Sequence, residues 1–265
     1  MITLPKVDKN VCIALSGGLD STVLVHAMVR EYGKDRVKAL SFDFGQRHSI
    51  ELQMANLTRL RLDIEHTVYR LDYLKEISKD VSALIGGSDL KPKTAEENSG
   101  DPQVNTYVPF RNLQFAAITA AYAEAKDCSV IFQGLNAVDE YGYWDTSMDF
   151  MNAFNTILLL NRQNQITFVA PFVELYKEDE LNLAKELSRH FDYDILENTW
   201  SCYNGLSKEF NFKECGVCNT CVEKLTGYVK AEYSETAILK KFDITFEDLQ
   251  QMKSHSFNDR WHPLD

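Results

Sequence analysis

The chain has 265 residues, room for one large α/β domain or one domain with a small appendage, and needs no disulfides to bury a core. Lys and Arg number 28 against 39 Asp and Glu, for a net charge of −11 with 45% hydrophobic residues. That balance excludes a basic protein built mainly to grip nucleic acid but allows a small anionic ligand in a local positive pocket.

In chain order, "MITLPKVDKN" carries no apolar signal region, and no later stretch approaches a membrane span, so we expect a cytoplasmic protein with no membrane partner. Val11–Leu15 reads as a buried strand and Ser21–Tyr32 as the amphipathic helix after it, ending at Gly33. Between them stands "ALSGGLDST", residues 14–22. Glycines at such a junction let the backbone turn tightly against an anion, and the first helix amides point at it beside roughly half a positive charge of helix dipole. The plainer alternative is an ordinary turn capped by Ser16 or Asp20.

Val37–Phe44 is a second strand, residues 45–61 an amphipathic helix, and 63–74 hold a third strand. This β-α-β-α-β order favours a parallel sheet with helices on both faces, whose ligands sit outside the carboxyl ends of the strands. Residues 78–105 are polar, with Gly86-Gly87 and two prolines, and read as a lid, a binding loop or a disordered segment. Helical spacing returns over 112–126, followed by a strand over 129–136, a helix over Met148–Leu160, a strand over 165–172 and a charged amphipathic helix over 176–191. The last stretch, from Ser234, suggests a short helix and a polar tail.

Six cysteines in a chain of this kind point to metal or redox chemistry rather than disulfides. Cys202, Cys215, Cys218 and Cys221 are spaced C-x12-C-x2-C-x2-C. Closely spaced thiolates converge on one ion with little loop entropy to lose, and four sulfurs with no open position suit a structural Zn²⁺. An iron–sulfur cluster and a redox dithiol are the alternatives. Cys12 and Cys128 read as core fillers.

Taken together, "SGGLDST", "FGQRHSIEL", "TYVPFRN", "GLNAVDEYGYWD", "APFVELYKEDEL", "TWSCYNG" and "CGVCNTC" stand in the order seen in the 7-cyano-7-deazaguanine synthase family, and the chain resembles that family from about Val11 to Tyr228. The resemblance implies an adenine nucleotide alpha hydrolase-like, PP-loop ATPase fold: an α/β parallel sheet flanked by helices, with the four-cysteine zinc knuckle at its C-terminal end. Residues 1–195 would form the PP-loop ATP pyrophosphatase-type domain, 196–232 the zinc-binding segment and 233–265 a C-terminal extension. It implies ATP-dependent ligation, in which a deazaguanine carboxylate attacks the α-phosphate, ammonia displaces AMP to give an amide, and a second ATP takes the amide to the nitrile. Ser16, Gly17, Gly18, Leu19, Ser21 and Thr22 would hold the pyrophosphate end of ATP, and Asp20 its Mg²⁺. Arg47, His48 and Asn112 would bind nucleotide, and Lys177 and Arg111, with Asp20, would serve the chemistry. Asp139, Gly142, Tyr143 and Asp145 would line the deazapurine pocket. A homodimer is expected, with no nucleic-acid partner.

The chain departs from the family where Gly-Tyr-Pro-Asp-Cys-Arg is usual, reading Gly142-Tyr143-Trp144-Asp145-Thr146-Ser147, which removes an arginine fork. It also carries the longer tail, where a protein partner could dock. The departures keep open a relative from phage DNA modification or antiviral defence that stops at the amide or uses another amine. A non-catalytic zinc-stabilised module is the rival from another class, against which Ser16, Asp20 and Ser21 are all present.

Overall fold

The computed structural model describes residues 2–98, 101, 103–136 and 143–256. Five strands, β1 (Asn10–Ala14), β2 (Val37–Asp43), β3 (Glu65–Arg70), β4 (Cys128–Phe132) and β5 (Thr167–Val169), form one parallel sheet in the order β3-β2-β1-β4-β5. The helices are α1 (Leu19–Tyr32), α2 (Ile50–Leu62), α3 (Asp72–Ser78), α4 (Arg111–Ala125), α5 (Met148–Leu158), α6 (Lys177–Phe191), α7 (Asn219–Lys230), α8 (Glu235–Lys241) and α9 (Phe246–Ser256).

Strand alternation divides the core in two. Val11 and Ile13 of β1, Val37 and Ala39 of β2, and Val130 and Phe132 of β4 join one apolar cluster with residues of α1, α6 and α7. Cys12, Leu40, Phe42 and Ile131 enter a second with residues of α4 and α5. The central strands are therefore buried on both faces, which is why they read as nearly unbroken apolar runs. Edge strand β3 is half-exposed, with Val68 open to solvent.

From β1 the chain runs outward to β3 and then returns to lay β4 on the other side of β1. The carboxyl ends of β1 and β4 thus face a crevice where the chain reverses direction, the place such sheets reserve for ligands.

Several sequence expectations are corrected. Helix α2 starts at Ile50, not at residue 45, because Gly45 takes φ +71° and the following residues form a loop. Strand β4 ends at Phe132, which frees Gln133–Asn136 to enter the crevice. Helix α3 was not foreseen.

Among the described residues of 78–105, much is packed rather than free: Ala83, Leu84 and Ile85 are wholly buried, and the Arg47 and Gly86 amides donate to the carbonyls of Leu84 and Gly45 at 2.7 Å. Further on, the Ala95 amide donates to the Val217 carbonyl, tying this stretch to the cysteine region. The tail expected to hold one short helix folds into two, α8 and α9, whose Ile238, Phe242 and Leu249 are fully buried in the first core.

Candidate active site and metal centre

The loop after β1 is shaped by its own hydroxyls. Ser21 Oγ accepts the amides of Ser16 and Gly17 at 3.2 Å each and meets Ser16 Oγ at 2.9 Å, while Ser16 Oγ accepts the Gly18 amide at 3.1 Å. Gly18, not Ser16 or Asp20, is the N-cap of α1 and offers no capping side chain of its own. The Leu19 amide donates to Ser201 Oγ at 3.3 Å. Gly134 closes over the loop, where a Cβ would come within 3.0 Å of Ser21 N.

Ser16, Gly18, Leu19, Ser21, Gly134 and Ser201 line a cavity of ≈ 260 Å³ at the crevice. Lys177, the first residue of α6, holds its ammonium 2.8 Å from Asp20 Oδ1 and 3.4 Å from Glu180 Oε1. Burial pushes Asp20 upward, but the Lys177 charge and hydrogen bonds from Glu180 and Lys177 outweigh it and hold the carboxyl below its ordinary value. Glu180 goes the other way: burial first and the Asp20 charge second raise it well above the carboxylate range. Burial and the neighbouring charges thus push the two carboxyls apart, Asp20 down and Glu180 up, with Asn136 Nδ2 donating to Glu180 Oε1 at 3.0 Å.

The opposite wall is aromatic. Phe42 stacks on Phe115 with centroids 4.2 Å apart, and Arg111 lies 6.0 Å from the Phe44 ring and 5.9 Å from the Tyr143 ring. A flat heterocycle could lie against such a wall with the guanidinium beside it. His48, nearly buried, is held through Nε2 by Glu51 at 3.2 Å and faces the Tyr203 ring.

The cavity brings together most of the expected residues: Ser16, Gly18, Leu19, Asp20, Ser21, His48, Arg111, Asn112, Tyr143 and Lys177 all line it. Gly17, Thr22, Arg47 and Asp145 do not. Gly17 packs against the Glu51 carbonyl of α2, and Thr22 is fully buried within α1. Arg47 turns away, donating to the carbonyls of Ala83, Ser88 and Leu90 at 3.2, 3.0 and 2.7 Å, and so pins the loop after α3. Asp145 is 1% exposed and accepts the Asn112 amide at 3.1 Å and its side-chain nitrogen at 3.3 Å, capping α4 from outside. Asp139 and Gly142 lie outside the described residues. Trp144 donates to Tyr107 Oη at 3.0 Å and packs edge-on against Phe110 and Phe150, while Ser147 caps α5.

Sequence reasoning missed Gln133, Ser201, Glu223 and Lys224 as lining residues. Gln133 followed a strand and kept its Nε2 unpartnered among the described atoms, a signal only structure supplies. Lys224 sits three residues past the last cysteine, on the inward face of α7, where its spacing from Cys221 and Leu225 could have marked it as buried.

The four expected cysteines are buried and their sulfurs lie within 4.8 Å of one another. Sγ of Cys215 and Cys221 are 3.8 Å apart, the edge of a tetrahedron with metal–sulfur bonds of about 2.3 Å. Hydrogen bonds from Cys202, Cys218 and Cys221 lower Cys215, and the amide of Cys218 and Asn204 Nδ2 also donate to its sulfur. The donor set fits a single thiolate-bound ion, with a second shell already in place. Trp200 Nε1 donates to the Cys202 carbonyl and the Trp200 amide to the Gly17 carbonyl, so this centre abuts the loop after β1.

The family model described as "Queuosine biosynthesis protein QueC" matches residues 10–232. A protein named 7-cyano-7-deazaguanine synthase from Prochlorococcus marinus (strain MIT 9515) is 36% identical over 84% of this chain and 95% of its own. One of the same name from Thermoplasma acidophilum is 33% identical over 91% of this chain and 96% of its own. Among solved structures, a U34-tRNA thiolase from Methanococcus maripaludis covers 96% of this chain and 74% of its own, at a TM-score of 0.46 and 14% identity.

Proposed function

The chain belongs to the QueC family of queuosine biosynthesis proteins, and on that premise we propose that it is an ATP-dependent ligase converting 7-carboxy-7-deazaguanine and ammonia to 7-cyano-7-deazaguanine. The names of its relatives favour this reading over a binding module or an enzyme that stops at the amide. One observation carries the residue roles: Lys177 and Asp20, 157 positions apart, meet at 2.8 Å above the loop amides in one cavity.

The reaction needs a substrate carboxylate to attack the α-phosphate while the pyrophosphate departs with its negative charge. The N-terminal end of α1, with its dipole, and the Ser16 hydroxyl would face that departing end. Asp20 is the residue that would hold Mg²⁺, whose part is to neutralise phosphate charge. Asp20 and Lys177 would thus share the phosphate charge, Asp20 through the cation it would hold and Lys177 directly at the α-phosphate, with Glu180 beside them. Arg111 and the Phe44 and Tyr143 rings orient a planar substrate. Ammonia then displaces AMP, and a second activation of the amide oxygen leaves the nitrile.

The four cysteines hold a structural zinc in this reading, because their sulfur spacing suits one ion and leaves little room for bridging sulfides between them. A cytoplasmic homodimer is the working assembly, tested by light scattering. Residues 1–195, 196–232 and 233–265 are assigned as ATP domain, zinc segment and extension.

Mass spectrometry of a reaction with ATP, Mg²⁺ and 7-carboxy-7-deazaguanine, with and without ammonium, tests the function. The expected result is the nitrile with AMP, dependent on ammonium. An amide alone would assign the divergent Trp144–Ser147 segment to a half-reaction. AMP without either product would move the enzyme to the class using another amine, including defence-type relatives.

A further inference from the structure

Helix α8 lies beyond residues 10–232 that the family model matches, yet it is wired to the cavity. Lys241, in its last turn, sets its ammonium 3.7 Å from Glu214 Oε1 and donates to the carbonyls of Leu196 and Thr199 and to the Thr199 hydroxyl at 3.3, 3.1 and 3.0 Å. The backbone reinforces the contact: the Glu214 amide donates to the Lys241 carbonyl at 3.0 Å, and the Asp243 amide to the Glu214 carbonyl at 2.8 Å. Glu214 Oε1 in turn accepts Lys224 Nζ at 2.8 Å and the Ser201 amide at 3.4 Å. Lys224, only 2% exposed and part of the cavity wall, donates at 3.4 Å to Ser201 Oγ, the same hydroxyl that accepts the Leu19 amide.

Two ammonium groups converge on one oxygen of one carboxylate. Burial and the Lys224 charge lower Lys241 to about 8, and Glu214 and Asp194 oppose that shift. The Lys224 charge also reaches Asp20 in the same cavity and helps hold its carboxyl low. Lys224 thus stands one hydroxyl away from the helix terminus that already favours an anion.

We propose that Lys224 is a second cation for the pyrophosphate end of ATP, and that Glu214 and Lys241 are positioning residues that aim it, making α8 a working part of the phosphate site. This rests on the reading of the loop after β1 as an ATP cradle. Lys224 touches the phosphates, whereas Glu214 and Lys241 act through it.

Calorimetry of the metal-loaded, full-length chain with inorganic pyrophosphate tests this, alongside separate kcat and KM values for ATP. Lys224→Met is expected to weaken pyrophosphate binding and raise the ATP KM by about tenfold to a hundredfold. Lys241→Ala is expected to do so by about fivefold, with metal content and Tm recorded as controls. Lys224→Arg and Lys241→Arg should recover most of the loss, a rescue that a purely structural defect would not track in pyrophosphate affinity. Unchanged pyrophosphate affinity in a folded, metal-loaded Lys224→Met protein overturns the proposal. Should that variant not fold, the Lys241→Ala and Lys241→Arg pair decides it, unchanged affinity in the former again overturning the proposal. A wild-type chain that forms no AMP and binds no pyrophosphate would instead remove the ATP reading beneath it.

Discussion

At the scale of single residues, the cavity is governed by a few charges whose ionisation is set by burial. Lys177 pairs with Asp20, while burial and the Asp20 charge raise Glu180 well above the carboxylate range. Lys177→Met is therefore expected to lower kcat by roughly two to three orders of magnitude, the usual cost of one transition-state donor. It removes the ion-pair partner of the partly exposed Asp20, so stability should fall by about 1–3 kcal/mol. Steady-state AMP release and a urea titration separate the two effects. His26 supplies a pH test away from the chemistry. It is buried between the Thr22 carbonyl and the Tyr193 hydroxyl, at 2.7 and 2.9 Å, and desolvation lowers it to about 4. Between pH 6.5 and about 4 the unfolded chain binds a proton that the folded chain refuses, so stability falls as pH falls through that window and flattens below it. The loss amounts to about 3 kcal/mol when complete. Denaturation midpoints at pH 7.5 and 5 should show it, and His26→Leu should lose that part of the slope.

At the scale of elements, the strands and most helices were legible because each buried strand is a short apolar run and each surface helix shows a clear stripe. What escaped reading was the joining of elements. Nothing in "GQRH" distinguishes an arginine aimed at phosphate from one that pins three carbonyls of a loop 36 to 43 residues onward, as Arg47 does. Gly17 shows the same limit. Its glycine character suggested approach to an anion, but its φ of +90° and a hypothetical Cβ 2.1 Å from the Glu51 carbonyl oxygen show that it also lets α2 close on the loop. Gly33 has φ +80° with nothing within 4 Å of its Cβ position. Gly33→Ala should thus cost only backbone strain, about 1–3 kcal/mol, whereas Gly17→Ala adds an overpacking cost of similar size. Urea midpoints of the two variants should differ accordingly. The cysteine centre, by contrast, was readable from spacing alone. Because it abuts Gly17 through Trp200, chelation of the proposed zinc should both lower Tm and weaken ATP binding, with one zinc per chain by elemental analysis before chelation.

At the scale of the whole molecule, a parallel sheet with helices on both faces could be anticipated from β-α-β-α-β succession, but the strand order and the place of the tail could not. Read as polar, the final segment offers few apolar residues, and a period-3.6 stripe is hard to see in helices as short as α8. The structure shows those few residues fully buried: Ile238, Phe242 and Leu249 sit in the same cluster as Val11 of the central strand and Leu181 of α6. Burying three such side chains contributes roughly 5–9 kcal/mol. That is comparable with the whole stability of a typical domain, about 5–15 kcal/mol. A chain ending at Tyr233 would also expose Leu225 and Tyr228 on α7, the helix that carries Cys221 and Lys224. Truncation there is therefore expected to yield a protein that is largely insoluble or unfolds without a cooperative transition, and that retains zinc poorly. Far-UV circular dichroism melts and zinc content of the truncated chain check this. A soluble, cooperatively folding, zinc-loaded truncation would mean that the core closes without α8 and α9, and that their contact with Glu214 has consequences only for the phosphate site.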